Sequence, residues 1–162
     1  MNLLFRQHSI ASIHAEMLAG RIRCLDVAQA CIDAYQAFEP QTLAWECFDP
    51  ELLYRAAQAL DSAKPDGSAV QTLLGMPVGV KDIFNTVDFP TQMGSPLWKG
   101  FTPGNDARAV FNIKRAGALI PGKTGTAEFA VHSLGKTRNP HAADRTPGTS
   151  SSGSAAAVAQ GM

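Results

Sequence analysis

The chain has 162 residues, of which 45% are hydrophobic and 17% are charged, as is ordinary for a globular protein. Its 14 basic and 14 acidic residues give a formal net charge of zero, which does not favour a direct nucleic-acid partner or an anionic membrane. No apolar run is long enough to span a membrane, and the N-terminus lacks the pattern of a secretory signal. The three cysteines have no metal-ligand spacing. We therefore expect a soluble, cytoplasmic protein in a reducing compartment, with no metal.

The first half of the sequence predicts mainly helices, because apolar residues recur there at helical spacing between capping residues. The second of these helices is expected to stop at Pro40. A Lys-Pro-Asp-Gly-Ser stretch at residues 64–68 reads as a linker. The predicted elements are helices at residues 9–19, 25–38 and 49–63, with a strand at 43–48.

From residue 75 onward the sequence predicts short strands, loops and short helices. We expect a long loop at residues 89–105 with exposed Phe89 and Trp98, and Asp106 as the cap of a helix. Alternating strands and helices indicate an α/β fold, with a mixed, largely parallel sheet flanked by helices. The predicted elements are strands at 77–83 and 118–120, and helices at 106–116, 128–132 and 154–162.

Lys81 lies in the short apolar stretch Gly75–Ile83, which is typical of a buried strand. Most lysines are solvated surface residues, but a lysine in such a strand has a lowered pKa and can act as a neutral base. Gly79 lies two residues earlier on the same face of the strand, and we expect it to leave room beside the lysine side chain.

A run of Gly and Ser at residues 147–154, which we call the serine segment, leads directly into an alanine-rich stretch. A flexible linker has the same composition, but a linker is not expected to open straight into a helix. A loop at a helix N-terminus can present hydroxyl groups and backbone N–H donors to a reacting carbonyl. Lys81 and the serine segment together indicate serine chemistry driven by a lysine.

These two features, in their order and spacing, resemble the amidase signature family, whose members hydrolyse amides with a Ser–cis-Ser–Lys triad. The resemblance covers residues 75–162 throughout and residues 1–74 loosely. It implies an α/β/α fold, in which residues 1–74 are a helical lead-in of the same domain and residues 75–162 are the first part of the core. The stretches that carry it are GMPVGVKDIFNT (75–86), Gly94-Ser95, residues 106–130, TRNP (137–140) and TPGTSSSGSAAAVAQGM (146–162).

The resemblance implies that Lys81 is the base and that Ser150 is the bridging serine, after a cis peptide bond. Lys81 would take a proton from Ser150, and Ser150 would take one from the attacking serine. This chain departs from the family in having Thr149 where glycine usually precedes the bridging serine, and Ser152 where many members have glycine. Ser151 remains the alternative register. The supporting loop residues are Gly148, Thr149, Ser151, Ser152 and Gly153.

The attacking serine of the family lies about two dozen residues after the bridging serine, as the resemblance implies, and that position falls beyond Met162. Ser133 and Ser154 are not in a position to replace it. We therefore expect the chain to be the N-terminal part of an amidase that is inactive alone and needs the missing C-terminal portion. A domain with no enzymatic role is the other possibility.

Two further patterns offer alternatives. Residues 117–124 match the P-loop pattern G-x-x-x-x-G-K-[ST], but Gly117 is expected to follow a helix rather than a strand, so nucleotide binding is disfavoured. In the amidase interpretation, Gly122-Lys123-Thr124 is expected to be a turn. His132 and His141 have no acidic partner at a telling spacing, so a histidine-based triad is not indicated.

The leading hypothesis is hydrolysis of a small-molecule carboxylic amide through an acyl-serine, without a cofactor. The alternative within the same fold is the A-type subunit of a glutamyl-tRNA(Gln) or aspartyl-tRNA(Asn) amidotransferase. Members of that group usually have Asn-Met-Asp where this chain has Gly125-Thr126-Ala127, which favours a stand-alone hydrolase. We expect residues 89–101 to form one wall of the substrate pocket. The amide itself and the oligomeric state are not readable from the sequence.

Overall fold

A computed structural model describes residues 4–63 and 71–162 of the chain. The predicted linker at residues 64–68 lies outside the described residues. The helices are α1 (Leu4–Gln7), α2 (Ile10–Leu18), α3 (Cys24–Thr42), α4 (Pro50–Ser62), α5 (Arg108–Arg115) and α6 (Ser152–Gln160). The strands are β1 (Trp45–Phe48), β2 (Val80–Lys81) and β3 (Gly122–Thr124), and short 3-10 helices lie at Pro96–Trp98 and Glu128–Ala130.

The three strands form one small mixed sheet in the order β1-β3-β2. The pairing of β1 with β3 is antiparallel, and the pairing of β2 with β3 is parallel. A mixed sheet flanked by helices confirms the predicted fold class, although only one of the two strand pairs is parallel. The central strand β3 is buried along its whole length, which is expected of a strand that is covered on both faces.

The register of the sheet sorts its side chains onto two faces. Lys81 lies opposite Thr124, and Val80 lies opposite Lys123. On the other side of β3, Trp45 lies opposite Thr124 and Cys47 lies opposite Lys123. Because side chains alternate along a strand, Lys81 and Thr124 share one face, and Val80 and Lys123 share the other. The register of β1 shifts between Trp45 and Cys47, so Trp45 joins the Lys81 face and Cys47 joins the Lys123 face although they are two residues apart.

The largest apolar core lies between α2, α3 and α4. Val27 and Cys31 on α3 and Leu53 on α4 are among its fully buried members. Met76 and Leu119 from the second half of the chain belong to the same core. Burial of one such aliphatic side chain is worth about 1.5–3 kcal/mol, so this core holds the helices against the sheet region.

Two smaller cores cover the two faces of the sheet. On the Lys81 face, Ala156 and Ala157 of α6 pack with Ala44 and Trp45. On the Lys123 face, Val80 packs with Phe89, Val110 and Ile120. The α6 helix, and with it the serine segment, is therefore held on the side of the sheet that carries Lys81.

The prediction that α3 stops at Pro40 is wrong, because the helix continues to Thr42 with Pro40 in its last turn. The helix ends where Leu43 adopts the left-handed conformation, with a φ of 52°. The Glu39 carboxylate stabilises this end by accepting hydrogen bonds from the backbone N–H groups of Ala44 and Trp45. A proline this close to the C-terminus removes only one N–H bond of the helix.

Several predictions in the second half are also corrected. Residues 122–124 are the central strand and not a turn, whereas Leu119 makes only an isolated bridge to Pro77. Asp106 does not cap α5, which begins after Ala107. Its carboxylate instead accepts hydrogen bonds from the Val87 N–H and the Lys114 ammonium. Phe89 is buried in the core on the Lys123 face rather than exposed.

Candidate active site

Lys81 ends the two-residue strand β2 and is half-buried. Burial lowers the pKa of its ammonium group below the ordinary value of 10.5. Within residues 4–63 and 71–162, its side-chain nitrogen has no hydrogen-bond partner and no carboxylate within ion-pair distance. A lysine in this state is closer to a neutral amine than a solvated lysine is, as a base requires.

The space beside Gly79 differs from the expectation. A Cβ atom at Gly79 would lie 2.8 Å from Thr124 Cγ2 and 2.9 Å from the Trp45 indole. The missing side chain therefore admits Trp45 and Thr124 against the strand, rather than leaving free room for Lys81. Glycine is required here because a larger residue would push the Trp45 ring off the sheet.

The serine segment is attached to β3 and to the residues that follow it. The Ser154 Oγ and Thr124 Oγ1 atoms share a hydrogen bond of 2.7 Å. Two residues further along, the Thr126 hydroxyl donates a hydrogen bond of 2.8 Å to the Ser150 carbonyl oxygen. Thr124 is also the residue paired with Lys81 in the sheet. One short stretch of chain therefore places both the lysine and the serine segment.

Gly153 fixes how closely α6 approaches the sheet. A Cβ atom there would lie 2.2 Å from the Gly125 nitrogen and 2.3 Å from the Ala44 carbonyl oxygen, distances that no side chain tolerates. The Gly153 N–H donates to the Gly125 carbonyl at 3.1 Å. The absence of a side chain at Gly153 thus lets the backbone of α6 pack directly against the backbone of Gly125 and Ala44.

The other residues of the serine segment differ in exposure and in hydrogen bonding. Gly148 has a φ of 103°, which favours glycine, and Thr149 and Ser151 are exposed. Ser151 flanks the start of α6 without a side-chain capping bond. Ser152 is only 4% exposed, and its hydroxyl has no hydrogen-bond partner among the described residues.

The proton relay between Lys81 and Ser150 is not formed in this structure. Ser150 is half-buried, and no hydrogen bond joins its hydroxyl to the Lys81 amine within the described ranges. The peptide bonds of the described chain are all trans, including the bond between Thr149 and Ser150. The sheet brings the two residues to the same side of the fold, and the assignment of their roles stays a prediction.

Sequence reasoning missed the roles of Thr124, Thr126 and the Lys123–Asp82 pair. Lys123 is 0% exposed, and its ammonium lies 3.0 Å from an Asp82 carboxylate oxygen. A lysine buried inside a strand cannot hold a phosphate group in a loop, so the P-loop interpretation of residues 117–124 is wrong. The Gly-Lys-Thr motif indicated a phosphate-binding loop, whereas these residues form the buried strand β3.

An open cavity of about 380 Å³ is connected to the serine segment through Thr126. Thr126, which bonds the Ser150 carbonyl, lines it together with Gln92, Ser95, Lys99 and Lys136. Ser95 donates a 2.7 Å hydrogen bond to Glu128, which braces this wall. Part of the predicted wall at residues 89–101 therefore does line a cavity. The cavity offers polar side chains of both charges, because Glu46 also lines it and pairs with Lys136 at 3.2 Å.

Two further features are absent from the described part of the chain. No helix there is both long and apolar enough to cross a membrane. No three His, Cys, Asp or Glu side chains within those same ranges are grouped as metal ligands.

Comparison with known proteins identifies one family. The sequence model of the family described as Amidase matches residues 26–162. Among curated proteins, the A-type subunit of the glutamyl-tRNA(Gln) amidotransferase of Chloroflexus aggregans is 36% identical over 160 residues, which are 95% of this chain and 33% of that protein. The protein of the same name from Maridesulfovibrio salexigens is 39% identical over 164 residues, 96% of this chain and 33% of that protein.

Solved structures show the same fold. The peptide amidase of Stenotrophomonas maltophilia superposes with a TM-score of 0.86 at 30% identity, covering 97% of this chain and 35% of that chain. A bacterial aryl acylamidase of the amidase signature enzymes gives a TM-score of 0.85 at 25% identity, covering 95% of this chain and 34% of that chain. The chain thus spans about a third of the length of the relatives that it matches.

Proposed function

Because this chain belongs to the amidase family, we propose that it supplies the lysine base and the bridging serine of an amide-hydrolysing site. Lys81 is the base and Ser150 the bridging serine. The attacking serine comes from polypeptide outside residues 1–162, so the chain alone does not turn over an amide. Residues 1–74 and 75–162 are proposed to form one domain, since Ile13, Leu53 and Leu119 share a core.

The observation that carries this proposal is the connection through Thr124. Lys81 lies opposite Thr124 in the sheet, and the Thr124 hydroxyl is bonded to Ser154 in the serine segment. The lysine of lowered pKa and the segment of hydroxyl groups are therefore attached to the same residue. This shared attachment supports the proposal, because a lysine-driven serine hydrolase needs its base and its bridging serine in the same region of the fold.

The proposed reaction first moves protons from the attacking serine toward Lys81 and then returns a proton to the leaving amine. A neutral Lys81 accepts the Ser150 hydroxyl proton, while Ser150 accepts the proton of the attacking serine, whose oxygen then forms a bond to the amide carbon. The C–N bond breaks, and the proton held by Lys81 returns through Ser150 to the leaving amine. Water then hydrolyses the acyl-serine by the same route and releases a carboxylic acid.

The relay requires a movement that brings the Lys81 amine and the Ser150 hydroxyl together, because the two side chains are not bonded to each other in this structure. The Ser150 carbonyl is already held by the Thr126 hydroxyl. The cavity bordered by Thr126 is the proposed place of the amide substrate. The substrate is a small-molecule amide, and no cofactor takes part.

A fusion of residues 1–162 to the remaining part of the Stenotrophomonas maltophilia peptide amidase tests this proposal. We expect the fusion to hydrolyse a peptide amide and the 162-residue chain to be inactive. Lys81→Ala and Ser150→Ala are each expected to lower kcat/KM by about 10²–10⁴-fold. The matched controls are Arg55→Ala and Ser133→Ala, at exposed positions that do not line the cavity. Full activity in the Lys81→Ala fusion, or turnover by the 162-residue chain alone, contradicts the proposal.

A second candidate function is supported by the curated relatives. The two described above are 36% and 39% identical to this chain and are named as glutamyl-tRNA(Gln) amidotransferase subunits, whereas identity to the solved peptide amidase is 30%. The chain would then be part of a protein that works on mischarged tRNA in a complex. The test joins residues 1–162 to the remainder of the Maridesulfovibrio salexigens protein and measures conversion of glutamyl-tRNA(Gln). Conversion without hydrolysis of simple amides favours the amidotransferase over the stand-alone hydrolase.

A further inference from the structure

The structure contains a buried ion pair directly behind the candidate base. Asp82 follows Lys81 in the chain, and its carboxylate lies 3.0 Å from the Lys123 ammonium. Both side chains are 0% exposed. A buried pair of this kind is often no more stabilising than two apolar residues, so its presence calls for a role other than stability alone.

Both partners of the pair have further hydrogen bonds. The Lys123 ammonium donates to the Pro90 carbonyl at 3.0 Å and to the Thr91 hydroxyl at 2.8 Å. With the Asp82 carboxylate, these acceptors match the three donors of an ammonium group. The Asp82 carboxylate also accepts from the Gln92 N–H at 3.1 Å. Each charge therefore has polar partners, as burial demands.

The strand that these contacts hold is very short. β2 comprises only Val80 and Lys81, and the ladder continues through the Asp82 N–H, which donates to the Thr124 carbonyl at 2.9 Å. A two-residue strand has little register preference of its own. A shift by one residue would turn the Lys81 side chain away from the serine segment and remove Asp82 from Lys123.

We propose that the buried Asp82–Lys123 ion pair is a positioning pair, which fixes β2 in register on β3 and thereby directs Lys81 to the face of the serine segment. The pair acts across the sheet, because Asp82 follows β2 and Lys123 lies at the centre of β3. Fixing register is the best-attested use of buried polar groups in proteins. The value of this positioning for catalysis rests on the proposed role of Lys81, whereas the register claim does not.

The same pair also holds the wall of the cavity. Pro90 and Thr91 bond to Lys123, and Gln92, whose N–H bonds to Asp82, lines the cavity. The Met93 N–H donates to the Asp82 carbonyl at 3.0 Å. One buried pair therefore sets both the lysine and one side of the adjacent cavity.

The test compares the wild-type chain with the double variant Asp82→Leu/Lys123→Met, which leaves no unpaired buried charge. The first readout is amide hydrogen exchange at residues 82 and 92, and the second is the titration midpoint of the Lys81 amine, followed by NMR. We expect the double variant to fold, with exchange at these amides faster by about tenfold or more, because the strand and the loop lose their anchor. We expect the Lys81 midpoint to move upward, toward 10.5, because the amine is no longer held in its buried position.

The control is Arg21→Met/Glu16→Gln, which removes an ion pair of exposed side chains without leaving a buried charge unpaired and is expected to leave both readouts unchanged. If the double variant does not fold, Asp82→Asn decides by amide exchange alone, because loss of a nearby negative charge lowers the Lys81 midpoint while loss of register raises it. A folded double variant with wild-type exchange and an unmoved Lys81 midpoint overturns the proposal, as does wild-type exchange at residues 82 and 92 in Asp82→Asn. Neither readout depends on turnover, so an inactive fusion enzyme would count against the proposed function alone.

Discussion

The hydroxyl oxygens of Thr124 and Ser154 lie 2.7 Å apart and join the central strand to the serine segment. Thr124 is also the sheet partner of Lys81. This hydrogen bond therefore links the placement of the candidate base to the placement of the segment that carries the bridging serine.

Removal of the Thr124 hydroxyl is expected to loosen this link. Thr124→Val keeps the shape of the side chain and leaves the Ser154 hydroxyl without its partner, which costs about 1 kcal/mol in the free energy of unfolding. Urea denaturation of Thr124→Val, Ser154→Ala and the double variant measures the coupling between the two residues. Additive effects of the two substitutions would show that the hydroxyls do not interact.

Gly153→Ala is expected to destabilise the chain strongly. The added methyl group would lie within 2.3 Å of backbone atoms of Gly125 and Ala44, and backbone cannot move aside as a side chain can. We expect a loss of about 3 kcal/mol or more, measured by denaturant unfolding. Ala155→Gly at an exposed position of the same helix is the control, with a cost of about 1 kcal/mol from helix propensity. Equal costs at the two positions would contradict the close approach of α6 to the sheet.

Lys123→Met is expected to lower stability rather than to affect nucleotide binding. It leaves the fully buried Asp82 carboxylate without its partner, at a cost of about 3–5 kcal/mol. Lys136→Met is the matched control, because its pair with Glu46 is partly exposed and is worth about 1 kcal/mol or less. Thermal unfolding with and without ATP completes the test. Protection of the wild-type chain by ATP, lost in Lys123→Met, would restore the nucleotide interpretation.

Stability is expected to fall in alkaline solution because of the buried thiols. Burial raises the pKa of the Cys31 thiol from 9.0 to about 12, so the unfolded chain loses this proton at lower pH than the folded chain. The contribution of the protonated Cys31 thiol to the free energy of unfolding is fully present below pH 9.0 and is lost as the pH rises toward 12. Over this range the free energy of unfolding falls by about 1.4 kcal/mol per pH unit.

Cys31→Ala isolates this effect. Its cavity cost is the same at every pH, so the difference in unfolding free energy between wild type and variant should shrink as the pH rises above 9.0. Urea titrations at several pH values measure this difference. A difference that stays constant up to pH 11 would contradict a thiol whose pKa is raised by burial.

The helices of the first half were predictable because their signals are local. Asp49 caps α4 through hydrogen bonds to the Glu51 and Leu52 N–H groups, as the Asp-Pro pair indicates. Cys24 and Cys31 of α3 both lie in the apolar core. This is expected, because residues seven apart lie on the same face of a helix. Pro40 misled the prediction, because a proline in the last turn is tolerated when the end is stabilised by other groups such as Glu39.

The sheet region was harder to predict because its strands are short and its partners are distant in sequence. β3 has only three residues, and one of them is a lysine, which ordinarily indicates a surface position. Its burial depends on Asp82, which is 41 positions away, and on carbonyl and hydroxyl groups of a loop. The bond between Thr124 and Ser154 spans 30 residues and has no local signature.

The most direct test of the account is the titration of the Lys81 amine in the wild-type chain, followed by NMR. Burial within the fold predicts a midpoint for Lys81 below 10.5. A Lys81 midpoint at or above 10.5 would show a fully solvated ammonium and would contradict its role as a base.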